Sequence, residues 1–183
     1  MIKKLSIDIA EDHSAFLWAK KQSDSVNALG HIGTHIDCYS NSPLESIFEL
    51  DTLVINCLNR MPIISDIENL NIEGKAIILY TGVLNKYGYG SVEYGQVNTF
   101  LLEPVLDEIL KSRPKFILID SCGIGNHGNE HITFDKKCEK ENCFVIENIF
   151  LDDQIASSIK RIKIEVDIDS KSTGKPCNVY AII

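Results

Sequence analysis

Short apolar runs rich in Ile, Val and Leu recur along a chain that is otherwise mixed in polarity. They occupy residues 5–9, 53–58, 76–80, 116–119, 144–149, 162–168 and 179–183. Runs of this length and β-branched content predict strands. Helical spacing is rarer. It is clearest over 99–111, where Leu102, Val105, Leu106, Ile109 and Leu110 fall on one face and Pro104 fits a first turn. A shorter helix is expected over 152–160 and a weaker one over 132–141. The stretch 85–95, loaded with Gly and Tyr, reads as an exposed loop able to border a pocket. Strands thus outnumber helices about two to one, which predicts a mixed α/β protein. With no repeat, linker or low-complexity segment, the whole of 1–183 is expected to form one domain.

Composition narrows the function. The 183 residues are 44% hydrophobic and 24% charged, the balance of an ordinary globular domain. A chain of this size buries roughly 70% of its unfolded surface and needs no metal or disulfide as a staple, so a metal here would serve chemistry. Eighteen Lys and Arg against 26 Asp and Glu give a charge of −8 without a basic block, which argues against a nucleic-acid partner. No apolar run approaches the roughly 20 residues that span a bilayer, and the opening residues lack the stretch of a secretory signal. A cytoplasmic location with no membrane partner is expected. Six scattered cysteines with no CxxC pair then read as reduced thiols, some of them small core residues.

The most informative segment is Gly30-His31-Ile32-Gly33-Thr34-His35-Ile36-Asp37. If it is extended, residues 31, 33, 35 and 37 share one face, with Ile32 and Ile36 on the other. Two imidazoles and a carboxylate then point the same way around a glycine, a ligand set that zinc and similar dications accept. Glu147 stands inside the apolar run 143–149. A buried, unpaired carboxylate is costly there, and a cation would relieve that cost.

These residues carry a resemblance. HIGTHID is similar to the H-x-G-T-H-x-D signature of the cyclase family, which contains kynurenine formamidase (arylformamidase) and related metal-dependent amide hydrolases. The strand 116–120, a His-bearing stretch, and 144–149 with Glu147 resemble the family's later segments, so the likeness covers roughly residues 28 to 155. It implies a swivelling β/β/α fold, a mixed sheet with few helices, and a homodimer or homotetramer. It also implies His31, His35 and Asp37 as ligands of one or two divalent cations, Zn²⁺ first and Mn²⁺ next. Glu147 would complete that shell or hold a second ion bridged by Asp37. The family's downstream histidine is matched by His131, while Asp135 stands at its expected spacing.

One departure matters. The family pattern continues D-x-P-x-H, its last histidine serving as general base, whereas this chain reads Asp37-Cys38-Tyr39-Ser40-Asn41. Asn41 cannot take up a proton but can orient a water or an oxyanion. Proton transfer falls to Glu147, His127 or His131. The implied reaction is hydrolysis of a non-peptide C–N bond in a small amide such as an aryl formamide, with Tyr87, Tyr89 and Tyr94 available to an aromatic substrate.

Two other readings are open. Gly123-Ile-Gly125-Asn-His-Gly128 spells G-x-G-x-x-G after a strand, with Glu147 downstream, as in dinucleotide sites. Against this, the residues after Gly125 make a poor helix start. The other reading is a metal- or ligand-binding protein that kept the scaffold and lost turnover with the base. Ser121 and Cys122 at a strand end read as pocket rim, since no nucleophile elbow is present.

Overall fold

Seven strands close into a ring. In the computed structural model, which describes residues 1–25, 27–28 and 30–183, the strands are β1 (Ile2–Lys4), β2 (His35–Asp37), β3 (Ile47–Asn56), β4 (Ala76–Tyr80), β5 (Phe116–Ile119), β6 (Phe144–Glu147), β7 (Arg161–Val166) and β8 (Gly174–Ile182). Their order is β1-β8-β2-β6-β5-β4-β3-β7, and β7 returns to β8. β3, β4, β5 and β6 run parallel to one another, while β2, β7 and β8 join antiparallel. β1 adds an eighth strand to β8.

Side chains alternate across this wall. Ile36, Phe48, Ile78, Phe116, Leu118, Ile146, Ile164 and Val179 fill the inside of the ring. Ile77, Leu79, Ile117, Ile119 and Val145 face outward, in one cluster with Ile67, Leu106, Ile109, Phe134 and Cys138. Those residues come from α2 (Ile64–Ile67), α5 (Glu103–Lys111) and α6 (Asn129–Lys140), within a set completed by α1 (Ser14–Ser25), α3 (Val83–Tyr87), α4 (Val92–Gln96) and α7 (Asp153–Ser158). Central parallel strands are buried on both faces, which is why they read as unbroken apolar runs. Emptying a buried helix position in the outer cluster, for example Ile109→Ala on α5, costs about 2–5 kcal/mol.

Several expectations are corrected. Among the described residues, eight strands and seven helices replace the two-to-one ratio. α1 escaped detection because its buried face is Ala15, Ala19 and Ser23: small residues at spacing four give no hydrophobic stripe. Segment 85–95 is not an open loop. It forms parts of α3 and α4, with Tyr94 only 1% exposed. Residues 5–9 are not a strand. Leu5 plugs the ring's core, and Ser6 makes a single bridge to Ile149. Helix α5 begins at Glu103 rather than 99, with Pro104 in its first turn. α6 begins at Asn129, directly after Gly128, so the residues that looked like a poor helix start are a helix start. Among the described residues, no helix is long and apolar enough to cross a membrane. Cys38, Cys57, Cys138, Cys143 and Cys177 are buried free thiols, and Cys122 is half-buried.

Candidate metal centre

The motif segment is not one extended strand. Residues 31–34 bend, with Gly33 in the left-handed region at φ +72°, and only His35–Asp37 pairs as β2. Period two therefore explains why His35 and Asp37 share a face, with Ile36 turned into the ring. His31 reaches them through the bend. Its Nδ1 lies 2.8 Å from Asp37 Oδ1, and its Nε2 meets Thr173 Oγ1 at 2.9 Å.

The sheet brings in the next residue. His35 is the direct antiparallel partner of Glu147, so both side chains stand on the outer wall of the ring, 3.8 Å apart between Nε2 and Oε2. Helix α6 covers that wall. His131 and Asp135, one turn apart, share its inner stripe. His131 Nε2 lies 3.1 Å from Asp37 Oδ2, 3.3 Å from Asp135 Oδ2 and 3.4 Å from Glu147 Oε1. The structure thus brings His131 and Asp135 to the cluster together rather than one in place of the other.

Three imidazoles and three carboxylates converge here. Two overlapping sets, His31-His35-Asp37 and Asp37-His131-Asp135, each keep one ligand atom per residue within 4.8 Å. His35 Nε2, both oxygens of Asp135 and Glu147 Oε1 are buried and make no hydrogen bond. Each such orphan costs about 1–3 kcal/mol or more, and a divalent cation is a partner for all of them. The donor set of nitrogen and carboxylate oxygen fits zinc or manganese.

The titration behaviour has the same origin. Burial, then the nearby Asp37, pushes Glu147 well above the usual carboxylate range, and the same two causes push Asp135 up. Burial opposes the charge on Asp37, but the charge of His35 and the close contacts of His131 and His31 outweigh it and hold Asp37 well below that range. Burial pulls His35 and His131 down, and their contacts with Asp37 more than reverse it, leaving both raised.

A second layer orients the ligands. His35 Nδ1 donates to Gly33 O at 2.9 Å, leaving Nε2 as the ligand atom. The same carbonyl accepts from Asn148 Nδ2 at 2.9 Å, Asn148 Oδ1 accepts from the buried Tyr94 hydroxyl, and Gly33 N–H donates to Tyr89 at 2.8 Å. Asn148 and Glu139 were missed in the sequence reading. The available signals were the amide directly after Glu147 and the His131, Asp135, Glu139 spacing of four.

A cavity of about 530 Å³ opens over the cluster. Its walls include Trp18, Gln22, Tyr39, Tyr89, Tyr94 and His127, and no Lys or Arg lines it among the described residues. Two placements correct the sequence reading. Asn41 is exposed, its Oδ1 accepts from Ser42 N–H, and it does not line this cavity. Tyr87 also stays outside. The glycine motif serves the cluster rather than a phosphate: a Cβ on Gly123, which has φ +107°, would sit 2.6 Å from both Glu147 Oε1 and the His131 ring, and one on Gly125 would sit 2.9 Å from His131 Cα. Glu147, the acid that a dinucleotide reading needs, stands in the cluster instead.

The fold is shared with proteins of known structure. A potential metal-dependent hydrolase with cyclase activity superposes with a TM-score of 0.71 at 17% identity, over 99% of this chain and 96% of that one. An isatin hydrolase bound to the product analogue thioisatinate gives 0.64 at 14%, over 100% and 81%. A predicted metal-dependent hydrolase from Bacillus stearothermophilus gives 0.62 at 17%, over 99% and 86%. No protein-family model and no curated protein sequence matches the chain. At these identities the likeness establishes the fold, the mixed α/β architecture expected from the cyclase-family resemblance.

Proposed function

We propose that the protein is a cation-dependent hydrolase of the cyclase family, cleaving a non-peptide C–N bond of a small, uncharged aromatic amide. The carrying observation is the convergence of His31, His35, Asp37, His131, Asp135 and Glu147 at one end of an aromatic cavity, with buried acceptors left unpartnered. These six residues would hold one or two ions. The imidazole-rich half suits Zn²⁺, and the carboxylate-rich half suits Mn²⁺. When bound, such a cation lowers the pKa of water toward neutrality and polarises a carbonyl.

The chain's own groups do the rest. Trp18, Tyr39, Tyr89 and Tyr94 offer rings against which an aromatic substrate packs. Burial pushes the Tyr89 hydroxyl up to about 12, so it stays protonated at neutral pH. No Lys or Arg lines the cavity among the described residues, so a substrate carboxylate would find no counter-charge away from the cation, which favours a neutral aryl formamide or lactam. His127 lines the cavity beside His131. Burial and the neighbouring His131 lower its pKa, so at neutral pH it is an imidazole able to accept a proton and return it to a leaving nitrogen. In this reading His127, rather than a residue at position 41, carries the proton.

The placement of Asn41 favours one other reading: a member that binds cation and ligand without turnover. Measured metal content, with assays on formanilide, isatin, phthalide and N-formylkynurenine, separates them. Bound Zn²⁺ or Mn²⁺ that is lost in His35→Ala, with turnover of a neutral substrate, supports the hydrolase. Bound metal without any turnover supports the binding protein. Metal-free protein that takes up neither ion overturns both.

A further inference from the structure

Helix α6 carries His131, Asp135 and Glu139 at intervals of four, so the three lie on one stripe. The first two belong to the cluster. Glu139 is 2% exposed and has a different task. Its Oε1 accepts from Tyr39 N–H at 2.5 Å, and its Oε2 accepts from Ser40 N–H at 2.7 Å and Asn41 N–H at 2.9 Å. Three hydrogen bonds from consecutive N–H groups to one carboxyl fix a backbone. The chain leaving β2 is therefore laid along the helix, with Asp37 against His131 and residues 39–41 against Glu139.

The backbone N–H at position 39 is essential to that contact. Proline has no N–H and could not make the shortest of the three bonds; Tyr39 can. Asn41 presents its backbone to Glu139 and its side chain to solvent. Stiffness that a proline ring would build into the loop is supplied here by a carboxylate on the helix that also carries two cluster residues.

We propose that Glu139 is a positioning residue. By gripping the N–H groups of Tyr39, Ser40 and Asn41 it holds the Asp37 carboxylate in register with His131 and Asp135, and so sets the affinity and coordination geometry of the cluster for a cation. This rests on the reading of the cluster as a cation site.

The test is a Co²⁺ titration followed by visible absorption, on the wild-type protein and on Glu139→Ala, Glu139→Gln and Ile109→Ala. Glu139→Ala is expected to bind Co²⁺ about 10–100-fold more weakly with an altered spectrum. Glu139→Gln keeps one acceptor oxygen and falls between; it also carries the test if the alanine variant does not fold. Ile109→Ala, a cavity in the α5 core, lowers the melting temperature but leaves affinity and spectrum as in the wild type. Amide exchange at residues 39–41 is faster in both Glu139 variants, with or without the ion. Wild-type protein that binds no Co²⁺ defeats both this inference and the reading beneath it. Wild-type binding that Glu139→Gln matches in affinity and spectrum defeats the inference alone.

Discussion

His35 and Glu147 are direct cross-strand partners in the antiparallel ladder of β2 and β6. One register decision thus places an imidazole beside a carboxylate that the sequence holds far apart. A slip of β2 by one residue would turn His35 and Asp37 into the ring's apolar interior and away from Glu147, so the hydrophobic core and the cluster are specified by the same alignment.

In cation-free protein, Glu147 and Asp135 hold protons that the unfolded chain releases near pH 4. The folded state binds more protons above that point, so stability falls as pH rises toward their raised values. His35 and His131, also raised, act in the same direction, their contribution being full in mild acid and lost as pH climbs through the raised value. Asp37, held low, has the opposite sign and matters only in strong acid. Cation binding displaces these protons. Melting temperature between about pH 5 and 8 should therefore fall in EDTA, and the gain from added Mn²⁺ or Zn²⁺ should grow. A rising EDTA curve across that range contradicts the account.

Gly123→Ala tests the close approach of the loop. The added methyl meets Glu147 and the His131 ring, at a φ that L-residues rarely adopt. A loss of about 1–3 kcal/mol from backbone strain is expected, together with weaker cation binding as the two ligands are pushed apart. Urea denaturation and a cation titration measure the two effects separately. An unchanged titration would show that the ligands do not depend on this contact.

Asn148→Ala removes the donor to Gly33 O and the acceptor of Tyr94. The buried Tyr94 hydroxyl is then left unpaired, at a cost of about 1–3 kcal/mol, while Gly33 O keeps only its bond from His35 Nδ1. Because the same carbonyl orients His35, cation affinity should fall by about 10-fold or more. Calorimetric titration decides it: full affinity in a destabilised variant would confine Asn148 to a packing role.

Asn41→His introduces the residue that the D-x-P-x-H pattern of the resembling cyclase family has at this position. Since Asn41 faces solvent outside the cavity, the new imidazole should change stability by no more than about 0.5 kcal/mol and leave turnover where it was. His127→Ala should lower turnover on a neutral substrate while cation content is kept. A large rate gain in Asn41→His would show that the loop can turn its side chain into the cavity.

Much was legible in the chain because it is local. The parallel strands announce themselves as apolar runs, since both their faces are buried, and HIGTHID places two ligands at strand spacing by covalent geometry alone. The four-residue interval from His131 to Asp135 and on to Glu139 is equally a sequence property, fixed by the pitch of a helix. Helix α1 was hidden because it packs through Ala15, Ala19 and Ser23, and residues 31–34 were misread because Gly33 permits a bend that no periodicity reveals. What the tertiary structure alone decided is adjacency. The β2–β6 register sets Glu147 beside His35, and α6 lies over that wall so that His131 and Asp135 both meet Asp37. The fold also turns Asn41 outward and Glu139 inward. Those relations join residues distant along the chain, and they are selected by closure of the ring and burial of its two apolar faces, which no local pattern encodes.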